Sequence, residues 1–330
     1  MRILLAVQGT GNGHISRARD VFRCLKDYDQ QVDTLVSGLH SEVSLGEPWT
    51  YKLDGLGFFF GKNGGIDYAR TIKELHLASF IKNLRSFPIK DYDLVISDFE
   101  PISAWTAQLH HIPCVAMSNQ AAFLSPKTPR PSDGPSVSEL VMRYFAPGTE
   151  TIGFHFQRYD TFIHTPIIRT EVRRLTPVAR PQVTVYLPAH DDRVLAREFQ
   201  RIRGIEWKVF SKHVQAPYEQ GNVSVSPVNA EKFLTSLETC TGVITAGGFE
   251  TAAEALFLGK KLLVIPMKGQ YEQLCNAEAL RRMGVATLED VGADFVEKVE
   301  SWLTSDERVP VDYPDETAMI VADILRRYKK

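Results

Sequence analysis

The sequence predicts an α/β protein with two doubly wound parallel sheets. Short apolar runs alternate with helical patterns from the first residues, which is typical of parallel α/β architecture. This alternation is broken at Thr165–Pro181, which holds three prolines between two strand-like runs, and it restarts at Gln182–Leu187. A chain of 330 residues is long enough for two domains with substantial cores. We therefore expect a first domain over residues 1–165, a second over 166–314, and a terminal helix over 315–330 that crosses back to the first.

In the first half, strand-like runs are separated by helical patterns. The predicted strands are Ile3–Val7, Val32–Val36, Asp93–Ser97, Pro113–Met117 and Thr151–Phe156. Tyr51–Phe60 predicts one or two further strands broken by Gly55 and Gly57. Ile66–Phe87 has apolar residues at helical spacing and ends before Pro88, so it predicts one long helix. Ser125–Pro135 holds four prolines and few apolar residues, which indicates a loop over a cleft rather than a linker between domains.

The second half continues the same alternation. Its predicted strands are Gln182–Leu187, Trp207–Phe210, Val223–Ser226, Gly242–Thr245 and Lys261–Ile265. Asp315–Tyr328 is amphipathic, and it is the predicted terminal helix.

Composition excludes several classes of function. The chain has 44% hydrophobic and 24% charged residues, as ordinary globular proteins do, and its net charge of −2 gives no basis for nucleic-acid binding. Its four cysteines form no CxxC pair, so neither a zinc site nor a disulfide framework is indicated. Ile3–Val7 is too short for the core of a signal peptide, and no run reaches the roughly 18 apolar residues of a membrane span. We expect a cytoplasmic enzyme.

A peripheral membrane contact is a further expectation from the first half. Ile66–Phe87 and Ala121–Leu124 mix apolar and basic residues, which would suit the inner membrane surface. The alternative is an ordinary core-facing helix with a solvated basic side.

The stretch Thr245–Met283 carries the clearest chemical pattern. Gly247 and Gly248 form a strand-to-helix turn at which backbone N–H groups can approach an anion. Glu254 lies one turn inside the helix, where its carboxylate can accept hydrogen bonds from a ribose diol. A second polar set follows one strand later: Gln270, Glu272, Gln273 and Asn276. The order of these parts predicts a phosphorylated, sugar-bearing ligand, although each part alone is compatible with a tight turn or a solvated helix.

The turn after the first strand, with Gly11, Gly13 and His14, reads GTGNGH. It resembles a dinucleotide fingerprint, but the second strand ends without the acidic residue that would hold a ribose. The alternative is that the turn approaches a substrate and places His14 in a cleft as a general base. His14 serving only as a helix cap is a further reading.

Asp98 is the predicted partner of His14. It follows an apolar strand, so it projects from the carboxyl edge of the same sheet. A carboxylate bonded to one imidazole nitrogen fixes the tautomer and stabilises the imidazolium. The alternative is that Asp98 caps the helix that begins near Pro101.

The segment GGFETAAEALFLGKKLLVIPMKGQYEQLCNA, Gly247–Ala277, resembles the donor-binding segment of GT-B glycosyltransferases that use nucleotide sugars. Within that superfamily it is similar to antibiotic and plant UDP-glycosyltransferases and to the peptidoglycan N-acetylglucosaminyltransferase. His14 and Asp98 match the catalytic base and activating Asp of many inverting members. The resemblance implies two Rossmann-like domains facing across a cleft, and transfer from a UDP-linked sugar to a hydroxyl acceptor, with no metal or other cofactor.

The resemblance also implies roles for the donor-side residues. The diphosphate would be held by Gly247, Gly248, Phe249 and Thr251, the ribose by Glu254, the sugar hydroxyls by Glu272 and Gln273, and the phosphate side by Asn276.

Further candidates are Gly11, Gly13, His190, Val228 and Asn229. This chain has Pro188-Ala189-His190 where many relatives have a Gly-Ser turn, and Phe249 where plant relatives have Trp or Asn. Two rival functions are a nucleotide-sugar 2-epimerase and a non-catalytic nucleotide-sugar binding protein.

Overall fold

A computed structural model describes residues 1–10, 12–38, 45–56, 77–131 and 137–329. These residues form two seven-stranded sheets, one in each half of the chain. Every described strand pair is parallel except Tyr218–Gln220 with Val223–Pro227 in the second sheet, which is antiparallel. The predicted class, two parallel α/β units, is confirmed.

The first sheet has the order β3-β2-β1-β4-β5-β6-β7. Its strands are β1 (Arg2–Gln8), β2 (Gln31–Ser37), β3 (Tyr51–Leu53), β4 (Leu94–Asp98), β5 (Cys114–Ser118), β6 (Glu150–Phe154) and β7 (Ile163–His164). The helices described in this half are Asn12–Asp27, Leu77–Ser86, Pro101–Leu109, Val137–Tyr144 and Thr170–Arg173, with 3-10 turns at Ile89–Asp91 and Gln120–Leu124.

The second sheet has the order β10-β11-β9-β8-β12-β13-β14. Its strands are β8 (Gln182–Tyr186), β9 (Glu206–Ser211), β10 (Tyr218–Gln220), β11 (Val223–Pro227), β12 (Gly242–Thr245), β13 (Lys261–Val264) and β14 (Ala286–Thr287). The helices are Asp192–Phe199, Ala230–Thr239, Phe249–Phe257, Tyr271–Arg282, Phe295–Thr304 and Thr317–Tyr328.

The strand order places a crevice in each sheet. In the first sheet the order reverses between β1 and β4, and in the second it reverses between β8 and β12. Ligands of open parallel sheets bind where the carboxyl ends of such strands diverge. The helix Asn12–Asp27, whose first turn carries His14, follows β1, Asp98 ends β4, and the Gly247–Gly248 turn follows β12. The fold therefore places the chemically interesting residues at the two crevices.

Burial explains why these strands form the centre of each sheet. Ile3–Val7 is a continuous apolar run that is almost completely buried, as expected for a parallel strand covered on both faces. One hydrophobic cluster contains residues from both halves, for example Ile15 and Phe249. The halves therefore share apolar contacts beside their separate cores.

Several predicted elements differ in extent from the structure. The predicted strand Tyr51–Phe60 is a strand only over Tyr51–Leu53, and residues 57–60 lie outside the described part. The predicted helix Ile66–Phe87 is helical over Leu77–Ser86, and residues 66–76 lie outside the described part. The short strands β7, β10 and β14 were not predicted, because runs of two or three residues carry no measurable periodicity.

The terminal helix Thr317–Tyr328 lies against the first helix, Asn12–Asp27. Its apolar side, with Ile320, Val321 and Ile324, is buried. The Tyr328 hydroxyl donates a hydrogen bond to Glu150 of β6 at 2.9 Å. The C-terminal end of the described chain thus packs on the first half.

Two observations concern the membrane. Within the described ranges, no helix is long and apolar enough to cross a bilayer. Ala121, Ala122 and Phe123, which the sequence offered as part of a membrane-facing surface, are buried in the 3-10 turn after β5. Their apolar side chains pack inside the protein, so they do not supply that surface.

His155, directly after β6, is a completely buried histidine surrounded by aromatic rings. Its Nδ1 accepts a hydrogen bond from the Phe156 N–H at 3.0 Å, whereas its Nε2 has no partner. Burial, with a smaller contribution from the charge of Arg130, lowers the pKa of His155 to about 3. The imidazole is therefore neutral in the folded protein.

This burial predicts a pH-dependent stability. The folded pKa lies below the unfolded value of about 6.5, so the contribution of His155 is present above pH 6.5 and is lost as the pH falls toward 3. Between pH 7 and pH 5, we expect the free energy of unfolding to fall by roughly 2 kcal/mol less in His155→Gln than in the wild-type protein. Urea unfolding at both pH values measures it, with exposed His110→Gln as the control. An unchanged pH slope in His155→Gln would show that this histidine is not the cause.

Candidate active site

His14 and Asp98 lie in direct contact at the crevice of the first sheet. The His14 Nδ1 is 2.7 Å from the Asp98 Oδ1, and both side chains are largely buried, with 13% and 5% of their surface exposed. Because an ionised carboxylate only accepts, the short contact assigns the proton to Nδ1 and leaves Nε2 as an acceptor. Nε2 lies 3.4 Å from the amide nitrogen of Gln120, which suits the same tautomer.

The charges around this pair fix its protonation. Burial lowers the pKa of His14, but the charge and hydrogen bond of Asp98 outweigh burial, so the pKa lies above its ordinary value. Burial raises the pKa of the Asp98 carboxyl, but the charges of Arg17 and His14 outweigh it, so that pKa lies below its ordinary value. The two directions agree with each other: Asp98 is an anion that stabilises a proton on His14.

Local structure explains how Asp98 reaches this position. Asp98 is the last residue of β4, and Phe99 after it has a left-handed backbone with φ of 55°, which costs free energy for a residue other than glycine. The Phe99 ring lies parallel to the His14 imidazole, with centroids 6.3 Å apart. The helix Pro101–Leu109 is capped by Glu100, whose carboxylate accepts from two backbone N–H groups. Asp98 is therefore not the cap of this helix, and its oxygens accept from His14 and Arg17 instead.

Two glutamates of the second half connect the halves beside His14. Glu250, in the first turn of the helix Phe249–Phe257, accepts a hydrogen bond from Arg17 at 2.8 Å. Glu272, in the first turn of the helix Tyr271–Arg282, accepts from the amides of Asn119 and Gln120, each at 2.9 Å. The N-terminal ends of the helices Phe249–Phe257 and Tyr271–Arg282 thus contact residues at the carboxyl edge of the first sheet.

The glycine turn after β12 has the geometry of an open helix start. Gly247 has a φ of 78°, and a Cβ there would lie 3.1 Å from a methyl of Val264, so glycine is required. Gly248 is the N-cap of the helix and no side chain caps it. The amide of Asn276 donates to the Gly247 carbonyl at 3.0 Å and holds the turn in place. The helix end presents uncapped N–H groups, which favour an anion.

Glu254, the predicted ribose residue, lies on the same helix but makes a different contact. Its side chain is 4% exposed, and its two oxygens accept from the guanidinium of Arg169 at 2.5 and 2.7 Å. Glu250, not Glu254, lies against the turn with Gly13 and His14. A ribose at Glu254 must therefore share the carboxylate with Arg169 or displace it.

The other predicted donor residues lie on the same two helices. Phe249 is buried, and its ring packs on Phe156 with centroids 5.0 Å apart. Thr251 is partly buried on the helix that Phe249 begins. Gln273 accepts from the Met267 N–H at 3.1 Å, so its amide oxygen orients the loop before its helix.

The weaker candidates lie at loops of the same edge or carry structural contacts. His190, in the loop after β8, has a buried Nδ1 without a partner, and burial lowers its pKa. The two residues after it serve the fold, since Asp191 caps a helix and Asp192 accepts from the Tyr218 hydroxyl. The two candidates in the loop after β11 differ in role: Asn229 caps the helix Ala230–Thr239, whereas Val228 donates its N–H to Ser211. Gly11 lies outside the described residues.

In the part of the chain that the structure describes, no group of three or more His, Cys, Asp and Glu side chains is placed to hold a metal ion. The expectation that the reaction needs no metal stays a prediction.

A cavity of about 700 Å³ lies elsewhere, between the edge of the first sheet and the terminal helix. It is lined by residues that include Glu150, His164, Met319 and Arg327. None of the predicted site residues lines it.

Five polar residues at the junction of the halves were not predicted as site residues: Arg17, Asn119, Gln120, Arg169 and Glu250. Arg17 could have been found, because it lies one helical turn after His14 and so shares its face. Asn119 and Gln120 follow a buried strand directly, as Asp98 ends one. Arg169 carries no such signal, since it lies in the segment between the two units.

Comparisons with known proteins show the family and the fold of this chain. A family model described as glycosyl transferase family 1 matches residues 1–305. No curated protein matches the chain in sequence. Among solved structures, SnogD from Streptomyces nogalater is similar at 20% identity, with 98% of this chain and 99% of that chain covered and a TM-score of 0.56.

Two further structures share the fold. SsfS6 of Streptomyces sp. SF2575, complexed with thymidine diphosphate, has 16% identity over 99% of each chain and a TM-score of 0.60. UGT89C1 of Arabidopsis thaliana, complexed with UDP, has 13% identity over 100% of this chain and 95% of that chain, with a TM-score of 0.61. The likeness to these structures shows the fold, and the family model covers most of the sequence. The chain therefore belongs to glycosyl transferase family 1 and is a glycosyltransferase with the GT-B fold.

Proposed function

We propose that this protein transfers a sugar from a nucleoside diphosphate sugar, UDP-linked, to an acceptor hydroxyl with inversion at the anomeric carbon. The observation that carries the proposal is the His14–Asp98 pair at 2.7 Å, close to the helix starts of the second sheet. Two of the similar structures named above, SsfS6 and UGT89C1, are complexed with thymidine diphosphate and UDP, which supports a nucleoside diphosphate as the leaving group.

In the proposed step, His14 Nε2 removes the proton of the acceptor hydroxyl. The acceptor oxygen forms a bond to the anomeric carbon while the bond from that carbon to the diphosphate oxygen breaks. Asp98 stabilises the imidazolium that forms, because its carboxylate faces Nδ1. The open helix start at Gly248 and Phe249 stabilises the charge that develops on the leaving diphosphate.

On the donor side, we propose the roles that the resemblance implies. Gly247, Gly248, Phe249 and Thr251 bind the diphosphate, Glu254 the ribose, and Glu272 and Gln273 the sugar. Asn276 acts through the glycine turn, since it holds the Gly247 carbonyl. Glu272 must exchange its bonds to Asn119 and Gln120 for sugar hydroxyls when the donor enters.

Product analysis tests the reaction. The protein is incubated with a panel of UDP-, dTDP- and GDP-sugars, with and without a set of hydroxyl acceptors, and products are followed by NMR. We expect a glycoside of inverted anomeric configuration and one free nucleoside diphosphate per transfer, only with an acceptor. A changed sugar configuration at C2 without an acceptor would show a 2-epimerase instead. Retention at the anomeric carbon would contradict the role of His14.

The ribose assignment predicts a loss of nucleotide affinity. Glu254→Ala removes a buried carboxylate, so we expect binding of the nucleoside diphosphate to weaken by roughly 1–3 kcal/mol, or about 5- to 150-fold in Kd. Isothermal titration measures it, with Glu300→Ala, an exposed glutamate on another helix, as the control. If the folded Glu254→Ala variant binds the nucleoside diphosphate as tightly as the wild-type protein, Glu254 does not bind the ribose and only pairs with Arg169.

A further inference from the structure

Four ionisable side chains form a continuous chain of contacts across the two halves: Glu250, Arg17, Asp98 and His14. The contacts are 2.8 Å from Arg17 Nη1 to Glu250, 2.7 Å from Arg17 Nη2 to Asp98 Oδ1, and 2.7 Å from Asp98 Oδ1 to His14 Nδ1. The first residue of the chain belongs to the donor-side helix, and the last is the proposed base. The two middle residues play no part in the chemistry derived so far beyond the role of Asp98 toward His14.

Arg17 fixes the orientation of Asp98. Its Nε donates to Asp98 Oδ2 at 2.9 Å and its Nη2 donates to Oδ1 at 2.7 Å. This bidentate contact aligns the carboxylate with the planar guanidinium and fixes its orientation. The Arg17 side chain is 2% exposed, and its Nη2 also donates to the Asn119 amide oxygen at 3.2 Å. Lysine could not make these contacts, because it has one nitrogen on a flexible stem.

Glu250 in turn holds Arg17 from the opposite half. Its carboxylate lies directly over the turn that carries the base, since a Cβ on Gly13 would be 2.3 Å from Glu250 Oε2. The missing side chain at Gly13 makes room for this approach. Arg17 and Glu250 lie on helices of different halves, so their contact exists only while the two halves lie together.

We propose that Arg17 and Glu250 are an interdomain positioning pair, through which closure of the donor-side helix onto the first half completes the His14–Asp98 base. This inference rests on the proposed function. The positive charge of Arg17 alone would offset the negative charge of Asp98 and weaken its effect on His14. The negative charge of Glu250 compensates the guanidinium and so restores that effect. Asp98 then stabilises the His14 imidazolium fully only when the donor-side helix is in contact with the first half.

The charges that face His14 make the effect measurable. They are Asp98 and Arg17 from the first half, and Glu250 and Glu272 from the second. Replacing Glu250 by glutamine keeps the shape and removes one negative charge, so the imidazolium of His14 becomes less stable. The carboxylate is 25% exposed, which favours folding of the variant.

The test combines a titration with kinetics on the full-length protein. The His14 imidazole is titrated by ¹H–¹⁵N NMR, with its signal assigned by comparison with His14→Ala. We expect Glu250→Gln to lower the pKa of His14 by about 0.5–1 unit. In the same variant, we expect kcat for release of nucleoside diphosphate from the most active donor of the panel to fall about 3- to 10-fold, with the donor KM changed less than about twofold. Arg17→Lys should lower kcat at least as much.

A matched control is Glu231→Gln, an exposed glutamate in the first turn of the neighbouring helix Ala230–Thr239, which should change neither quantity. The inference is overturned if Glu250→Gln leaves the His14 titration and kcat unchanged, or if it raises only the donor KM, because Glu250 would then act by contacting the donor. These results are distinct from failure of the proposed function, which would appear as wild-type turnover in His14→Ala.

Discussion

Replacing His14 by alanine is expected to lower kcat/KM for sugar transfer by roughly 100- to 10,000-fold, the range that a positioned general base contributes. The physical reason is that Nε2 of His14 is the atom placed to take the acceptor proton, with Nδ1 held by Asp98 at 2.7 Å. Binding of the nucleoside diphosphate should change little, since its proposed contacts lie in the glycine turn and the helix after it, in the second half. Steady-state kinetics and isothermal titration on the same preparation measure both effects.

The matched control for this variant is His110→Ala, which removes an exposed histidine at the end of the helix Pro101–Leu109. It should retain wild-type turnover. The wild-type pH profile gives a second check: His14 must be neutral to act, and its pKa lies above the ordinary value, so kcat/KM should fall as the pH drops through a value above 6.5. Full turnover in His14→Ala would remove this residue from the mechanism.

The second large effect is expected for Asp98→Asn. An amide cannot stabilise the imidazolium as a carboxylate does, and it leaves the tautomer of His14 unfixed, so we expect kcat to fall by roughly 100- to 10,000-fold. The acid limb of the pH profile should also move to lower pH, because the charge that raises the pKa of His14 is gone.

Asp98→Asn also leaves the buried guanidinium of Arg17 with one partner fewer, so a loss of stability must be separated from a loss of catalysis. Nucleoside diphosphate affinity and the thermal unfolding transition of the variant provide that control. A folded Asp98→Asn variant that binds nucleotide and turns over at the wild-type rate would contradict the role given to Asp98.

The sequence predicted the fold well where the pattern was long and continuous. Apolar runs such as Ile3–Val7 and Leu94–Ser97 are buried on both faces, and such runs are what periodicity detects. It predicted less where structure depends on distant partners. The short strand Ile163–His164 forms because β6 lies beside it, and nothing within two residues announces that pairing.

The candidate site shows the same division. The contact between His14 and Asp98 was predictable because Asp98 ends one strand and His14 follows another at the same carboxyl edge of the sheet. The contacts between the halves were not, since they depend on how the two units approach. Glu254 illustrates this: its position in the helix suggested a ribose, and only the structure shows that Arg169 occupies both of its oxygens.

The central claim is that the glycine turn and helix after β12 bind a nucleoside diphosphate and place its sugar next to the acceptor hydroxyl that His14 deprotonates. Isothermal titration of the wild-type protein, His14→Ala and Glu254→Ala with UDP, dTDP, GDP and ADP tests it most directly. The account predicts saturable one-to-one binding of UDP by the wild-type protein, unchanged by His14→Ala and weakened by Glu254→Ala. If none of the four nucleotides binds to the folded protein, the claim is contradicted.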